Sequence, residues 1–331
     1  MPCYNVSRTL DEALESMLSQ TLSDIEVVAV DDGSTDDTPH KLAGWQARDR
    51  RVRIIPKPHG GIIKALNAGL GECQSAIVAR MDADDRSHPE RLAEQMAYLD
   101  ENPEAAVVGC LVSGFQHARV SEGFSISNEW LNSLVMDEDI RREIFIESPL
   151  AHPSVAFRKE AVMAVGGYQE YGWPEDYDLW LRLYLDGAIF GKVPRLLFEW
   201  REYPERLTRT DSRYSLENFL RAKAHYLARG PLKGRDGVIL WGAGMVGRRL
   251  SKHLLRQGCP LAAFIDIDPR KIGSTRRGLP ILPPEELMSC WERYDNPALL
   301  ACVGARGARE LIREKLESFG LREARDWWGA A

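Results

Sequence analysis

Over its first 110 residues the chain alternates short apolar runs with segments of helical period, and two of the apolar runs break off in clusters of carboxylates. Ile25-Glu26-Val27-Val28-Ala29-Val30 ends in Asp31-Asp32-Gly33-Ser34-Thr35-Asp36, and residues 75–81 end in Asp82-Ala83-Asp84-Asp85. Residues 52–55 and 105–112 read as two further strands. Between them, Leu10, Leu14, Met17 and Leu18 recur at helical spacing behind Thr9-x-x-Glu12, which has the spacing of a capping box. Residues 61–70 also read as helix, and Pro89 opens another that runs to about Asp100. Strands alternating with helices predict an α/β fold, a mostly parallel sheet with helices on both faces. Ligands of such sheets bind beyond the carboxyl ends of the strands, where both acidic clusters fall. A strand should feed each strand-to-helix turn, yet Met1-Pro2-Cys3-Tyr4-Asn5 already reads as such a turn. The first strand is therefore expected to be missing; a start assigned too late is the preferred account, and a truncated copy is the other.

Farther along, residues 111–150 have weak periodicity and suit a variable region over a site. Strands are expected at 151–158 and 193–201, with helices from Pro174 and over 211–229. Gly and Pro punctuate residues 230–237, which reads as a linker. The expected domains are 1–230 and 238–331, joined by 231–237. The first 230 residues carry 26 basic and 37 acidic side chains, the remaining 101 carry 17 and 12. So acidic a first part is a poor nucleic-acid binder, which needs a positive face. The basic remainder suits an anionic cofactor, a packing surface or merely a solvated one. The six cysteines are scattered without a C-x-x-C pair and read as reduced thiols of a cytosolic protein. No apolar run approaches the ~18 residues of a membrane span, so any membrane contact is expected to be peripheral, at the inner face.

Carboxylates spaced i, i+2 bring oxygens together on a hard cation, and Mg²⁺ or Mn²⁺ keeps positions open for phosphate oxygens. Such a cation neutralises a diphosphate leaving group as a Lewis acid. Asp and Ser also gather in turns for backbone reasons alone, which accounts for Asp36 and Asp37. Two acidic loops, each ending an apolar strand, favour the metal reading.

Taken in order, five stretches make residues 1–230 resemble the family 2 glycosyltransferases of the GT-A fold. They are Met1-Pro2-Cys3-Tyr4-Asn5, Val30-Asp31-Asp32-Gly33-Ser34-Thr35-Asp36, Gly60-Gly61 with Lys64-Ala65-Leu66-Asn67-Ala68-Gly69, Met81-Asp82-Ala83-Asp84-Asp85, and Glu175-Asp176-Tyr177-Asp178-Leu179-Trp180. The resemblance implies an inverting enzyme that takes a sugar from a nucleotide-sugar donor, UDP being the commonest, to a saccharide or glycolipid acceptor in polysaccharide assembly. It implies that Asp31 and Asp32 lie against the nucleoside, with Pro2 and Tyr4 shaping the pocket and Gly61, Lys64 and Asn67 approaching the nucleotide. Asp82 would contact the ribose or the metal's water shell, and Asp84 would hold the metal. Inversion needs a base for the acceptor proton, and the family motif points to Asp176, with Glu175 in reserve. Acids there also offset the helix dipole behind Pro174. Arg201 is placed to meet the diphosphate. His152 is read as an acceptor or phosphate contact or a structural residue, Arg182 as a helical partner of Asp178, and Trp173 as a sugar-stacking or core residue. The Gln-x-x-Arg-Trp motif of processive synthases is absent from the sequence.

In the last hundred residues, an apolar run at 238–241 leads into Gly242-Ala243-Gly244-Met245-Val246-Gly247, a helix follows, and a second strand ends at Asp266. That arrangement suits a phosphate at a helix N-terminus, with Asp266 or Asp268 on a ribose. With Gly278-Leu279-Pro280-Ile281-Leu282, it resembles the Rossmann-like N-terminal domain of the PglD-type sugar acyltransferases. NAD(P) fits such a turn, but no Tyr-x-x-x-Lys or other hydride-transfer constellation follows it. Ligand sensing, docking or packing is therefore preferred to redox chemistry. Two other readings of the whole chain stay open: a nucleotide-binding sensor or oxidoreductase acting through Gly242–Gly247, and an inactive transferase kept as a binding module.

Overall fold

The computed structural model describes residues 1–115, 122–203 and 206–331. Two compact units share the chain. One comprises Met1–Ile140, Pro149–Tyr171 and Glu175–Thr210; the other comprises Arg141–Ser148, Gly172–Pro174 and Asp211–Ala331. Helix Leu216–Arg229 thus belongs to the second unit, where Glu217 bridges to Lys252 and His253.

In the first unit, β1 (Pro2–Cys3), β2 (Val27–Asp31) and β3 (Val52–Pro56) form a parallel three-stranded sheet with β2 central. The first strand, expected to be missing, is present but two residues long, with Pro2 opposite Val30 and Cys3 opposite Asp31. Backbone groups alone suffice for it: Val30 N–H donates to Met1 O, Asp32 N–H donates to Cys3 O, and the Met1 ammonium donates to Val28 O. An apolar cavity of about 380 Å³ lies beside it, lined by Met1, Val28, Ala65, Leu70, Val78 and Phe157 among others.

A second sheet contains β4 (Ile77–Ala79), β5 (Arg86–Ser87), β6 (Ala105–Phe115), β7 (Ala156–Arg158) and β8 (Ile189–Arg201) in the order β4-β7-β6-β8-β5. Only β6–β8 is parallel here. The region of weak periodicity continues β6 to Phe115 and carries helices Glu122–Ser133 and Asp137–Glu143; residues 116–121 lie outside those described. Leu10, Leu14, Val27, Ala29, Met81, Val108 and Phe198 share one core, which explains the helical and strand periods of the sequence.

The capping box at Thr9 does not form. Thr9 Oγ1 donates instead to the carbonyl of Ala83, at 2.9 Å, and Glu12 pairs with Arg86 and Arg201. Tertiary partners outcompete the local cap, and the exchange ties the start of helix Leu10–Leu18 to the second acidic loop.

The second unit holds β9 (Gly237–Trp241), β10 (Leu261–Ile265), β11 (Thr275–Arg276), β12 (Leu279–Leu282), β13 (Pro297–Ala301) and β14 (Trp327–Gly329). Their order is β11-β12-β10-β9-β13-β14, parallel except for β11–β12. The chain winds outward from β9 in both directions, as in doubly wound sheets. Ile239, Trp241, Ile265, Leu299, Leu316 and Trp327 form its core. Among the described residues, no helix is long and apolar enough to cross a membrane.

Candidate active site

Two loops at strand ends build the site in the first unit. Asp31 closes β2, and its Oδ1 accepts the N–H of Ser34 at 3.1 Å. The buried carboxylate of Asp32 accepts the N–H groups of Gly60 and Gly61, each at 2.9 Å, so it organises the neighbouring loop rather than standing free. His59 Nδ1 lies 2.9 Å from Asp32 Oδ2 and 3.0 Å from Asp32 O. Two acceptors assign the proton to that nitrogen. The His59 ring stacks on Tyr4, centroids 4.2 Å apart and 20° from coplanar, and both rings are exposed. The pair presents a flat aromatic surface beside Asp31 and Asp32.

Farther along this face, Asn67 does not point out to a ligand through a free amide. Its Nδ2 donates to Tyr168 O and its Oδ1 accepts from Tyr168 N–H, at 2.8 and 2.9 Å, clamping a distant loop. Tyr168 in turn meets the buried His152, O to Nε2 2.8 Å. Burial, aided by the charge of Arg80, holds the His152 imidazole well below its ordinary range, so the ring stays neutral. His152 is thus a packed, hydrogen-bonded residue. Lys64 is exposed and Pro2 half-buried.

The second loop carries three carboxylates. Asp82, Asp84 and Asp85 each offer an oxygen within 4.8 Å of the others. Arg201 braces the turn: its N–H donates to Asp85 Oδ1 at 2.7 Å, its Nε to Asp84 O at 2.5 Å, and its Nη2 to Glu12. It therefore serves the acidic loop, where the sequence suggested a free cation for a diphosphate. Tyr203 donates its hydroxyl to Asp84 Oδ2 at 2.6 Å. Asp85 Oδ2 is buried without a partner. Burial first, and then the charge of Asp82, push Asp84 up from the ordinary carboxylate range; burial and the charges of Asp84 and Asp82 push Asp85 well up. Crowded acids and an orphaned buried oxygen are what a hard divalent cation relieves, and carboxylate oxygens are its preferred donors. The three residues therefore fit such an ion.

Behind them, the buried guanidinium of Arg80 pairs with Asp82 Oδ1 at 2.7 Å. Burial is the largest single influence on the Arg80 cation and works against it, but Asp82, Tyr168 and Glu175 together raise its pKa. The same positive charge acts on Glu175, Asp176, His152 and Tyr168, which places Asp82 and the acids of helix Glu175–Leu185 in one electrostatic neighbourhood. Asp176 accepts the N–H of Tyr177 at 2.7 Å. Burial, followed by the adjacent charge of Glu175, lifts Asp176 to about 7, and Arg80 only partly opposes them. A carboxylate poised there exchanges protons near neutral pH. Two residues on, the fully buried Asp178 is held by Arg182 at 2.7 Å, the helical pair expected from the spacing. Trp173 lies in the second unit, buried against His225 and Tyr226.

Residues 1–166 match the family model described as Glycosyl transferase family 2. The chain belongs to glycosyl transferase family 2. Its amylovoran biosynthesis relative AmsE of Erwinia amylovora is 35% identical over 203 residues, which cover 60% of this chain and 73% of AmsE. The transferase fold is shared with S. aureus TarS, solved with UDP-GlcNAc, at a TM-score of 0.57 and 19% identity, covering 77% of this chain and 70% of that one. It is shared too with the mannosyltransferase PcManGT of Pyrobaculum calidifontis, solved with GDP-Man and Mn²⁺, at 0.51 and 18%, covering 78% and 67%. The GT-A architecture and a glycosyltransferase activity follow. Five groups of this transferase escaped sequence reasoning: His59, Glu12, Arg80, Asp85 and Tyr203. Arg80 left a signal, as a charge at the end of an otherwise apolar run, and Asp85 stood within the second acidic cluster.

Proposed function

We propose that this transferase moves a sugar from a nucleoside diphosphate sugar, UDP-linked by preference, to a hydroxyl of a saccharide or glycolipid acceptor, inverting the anomeric centre. The observation that carries this reading is the pairing of two sites: carboxylates Asp82, Asp84 and Asp85 within 4.8 Å of one another, and Asp176 poised at about 7. The nucleotide sugars bound to TarS and PcManGT support the donor class, and the Mn²⁺ of PcManGT supports a divalent cation.

Asp84, with Asp82 and Asp85, would hold Mg²⁺ or Mn²⁺, which supplies charge neutralisation for the departing diphosphate. Tyr4 and His59 offer the base a stacking face, and Asp31 keeps one carboxylate oxygen beyond its bond to Ser34. Asp32 fixes the Gly60-Gly61 turn. Asp176 takes the proton from the acceptor hydroxyl at a carboxylate oxygen while that hydroxyl attacks the anomeric carbon from the side opposite the diphosphate. Glu175 keeps Asp176 basic through its charge, and Arg80 holds Asp82 in place.

Release of nucleoside diphosphate from a panel of UDP-, GDP- and dTDP-sugars tests the reading. Asp176→Asn should cost roughly 10²- to 10⁴-fold in turnover, the range of general-base catalysis. Turnover close to the wild type would remove Asp176 as the base, and an axial-to-axial or equatorial-to-equatorial product by NMR would remove inversion.

A further inference from the structure

The second unit contains a cavity of about 830 Å³ that the transferase chemistry does not use. It opens at the carboxyl ends of β9, β10 and β13, where β10 and β13 flank the central β9 and the chain reverses its winding direction. That is where open parallel sheets take ligands, and the volume falls in the range of small-molecule sites.

The glycines of 242–247 divide by cause. Gly242 sits at φ +111°, and a Cβ on it would lie 2.7 Å from Val303 Cγ2. A Cβ on Gly247 would lie 1.9 Å from the carbonyl oxygen of Gly242. The fold demands both. Gly244 is different: its φ is −75°, and nothing lies within 4 Å of the position its Cβ would take. Packing places no demand on it, yet it lines the cavity at the start of helix Met245–Arg256. Asp266, offered by the sequence as a ribose acceptor, secures this turn instead: it accepts from Ala243 N–H and Asp268 N–H, each at 2.9 Å, and from Lys271 at 3.1 Å.

The cavity also has exposed apolar walls. Ile267 is 76% exposed, Leu311 68% and Met245 50%, and all three line this cavity. They account for three of the ten large apolar side chains exposed among the described residues. Lys315 lies in the same walls, as do Asp268, Glu285 and Lys271, whose ammonium is held by Asp266. Apolar faces for a flat ring, the Lys315 cation and a bare backbone approach at a helix start together describe one ligand chemistry.

We propose that the second unit binds a nucleotide in this cavity, its phosphate over Gly244 near Lys315 and its base against Ile267 and Leu311. The site is separate from the carboxylate loops, and the proposal does not rest on the transferase mechanism.

The test is calorimetry on the full chain in EDTA, which withholds the cation from the carboxylate loops, with AMP, ADP, UDP and NADH as probes. The expected result is one-to-one binding of at least one probe, weakened tenfold or more by Gly244→Val and by Ile267→Glu, and unchanged by Tyr4→Ala. Mononucleotide and dinucleotide ligands are separated by whether AMP or NADH binds more tightly. Ile267→Glu changes an exposed side chain, so it decides the matter if Gly244→Val fails to fold. Absence of binding by all four probes at millimolar concentration would overturn the proposal. So would binding that both variants leave intact, or binding lost in Tyr4→Ala.

Discussion

Asp176 gives the account a quantitative handle, because the cause of its shift can be removed separately from the group itself. With its carboxyl at about 7, Asp176 is about one-tenth ionised at pH 6 and about nine-tenths at pH 8. The proton-free form is the base, so kcat/KM should fall along an acidic limb centred near that value. Burial is the larger cause of the shift and the charge of Glu175 the next. Glu175→Gln removes the second cause and leaves the first, which should lower the limb by about one pH unit, the usual scale for a neighbouring like charge. At pH 6 the ionised fraction would rise to about one half, so the variant should run about fivefold faster than the wild type there. At pH 8 it should be equal or slightly slower, since a less basic carboxylate accepts a proton less readily. The assay is nucleoside diphosphate release at subsaturating donor between pH 5.5 and 8.5. A limb that stays in place in Glu175→Gln, or moves upward, would refute the reasoning. Stability supplies a second check. A carboxyl raised in the folded state favours folding below its ordinary value and loses that contribution as pH rises through 7. Asp176→Asn should therefore melt higher than the wild type at pH 8. Three pH units correspond to a ceiling of about 4 kcal/mol, and partial solvent access reduces this to about 1–2 kcal/mol.

Other groups give sharper or simpler outcomes. Arg80→Met leaves Asp82 without its buried partner, so denaturant unfolding should show a loss of about 3 kcal/mol; the acidic limb should also move up, because Arg80 opposes the rise of Asp176. An unchanged unfolding curve would mean that the pair contributes nothing. Lys192 is buried, donates to Leu131 O and is pulled down to about 7 by burial. A lysine lowered in the folded state contributes stability at high pH that is lost as pH falls toward 7. The wild type should therefore melt higher at pH 9 than at pH 7, and Lys192→Met should flatten that difference; an equal rise in both proteins would contradict it. Gly247→Ala puts a methyl into the carbonyl of Gly242 and should lower the melting temperature, whereas Gly244→Ala should leave it unchanged.

Much of this was legible because it is local. The strand ends expected at Val30 and Met81 announce themselves by the change from apolar to acidic residues; the strands end at Asp31 and Ala79, and both open onto the site. The pair Asp178–Arg182 follows from helical spacing alone. What escaped depends on partners far away in sequence. Thr9 looked like a cap, but its hydroxyl finds Ala83, 74 residues on. Asn67 looked like a ligand contact, but both ends of its amide are used by Tyr168, 101 residues on. Arg201 looked free and is consumed by Glu12, Asp84 and Asp85. Polar groups near a site look alike in sequence whether they meet the ligand or hold the residues that do. The first strand escaped for another reason: two residues are too few to show a period, yet backbone pairing with β2 still defines them.

The central claim is that Asp82, Asp84 and Asp85 form a cation site that the donor diphosphate requires. Calorimetric titration with UDP, with and without Mn²⁺, on the wild type and Asp84→Ala tests it most directly. The account predicts strong binding at the transferase site only when Mn²⁺ is present, and loss of that metal-dependent component in Asp84→Ala. Metal-independent binding of equal strength that Tyr4→Ala abolishes, or an Asp84→Ala protein that binds as the wild type does, would contradict it.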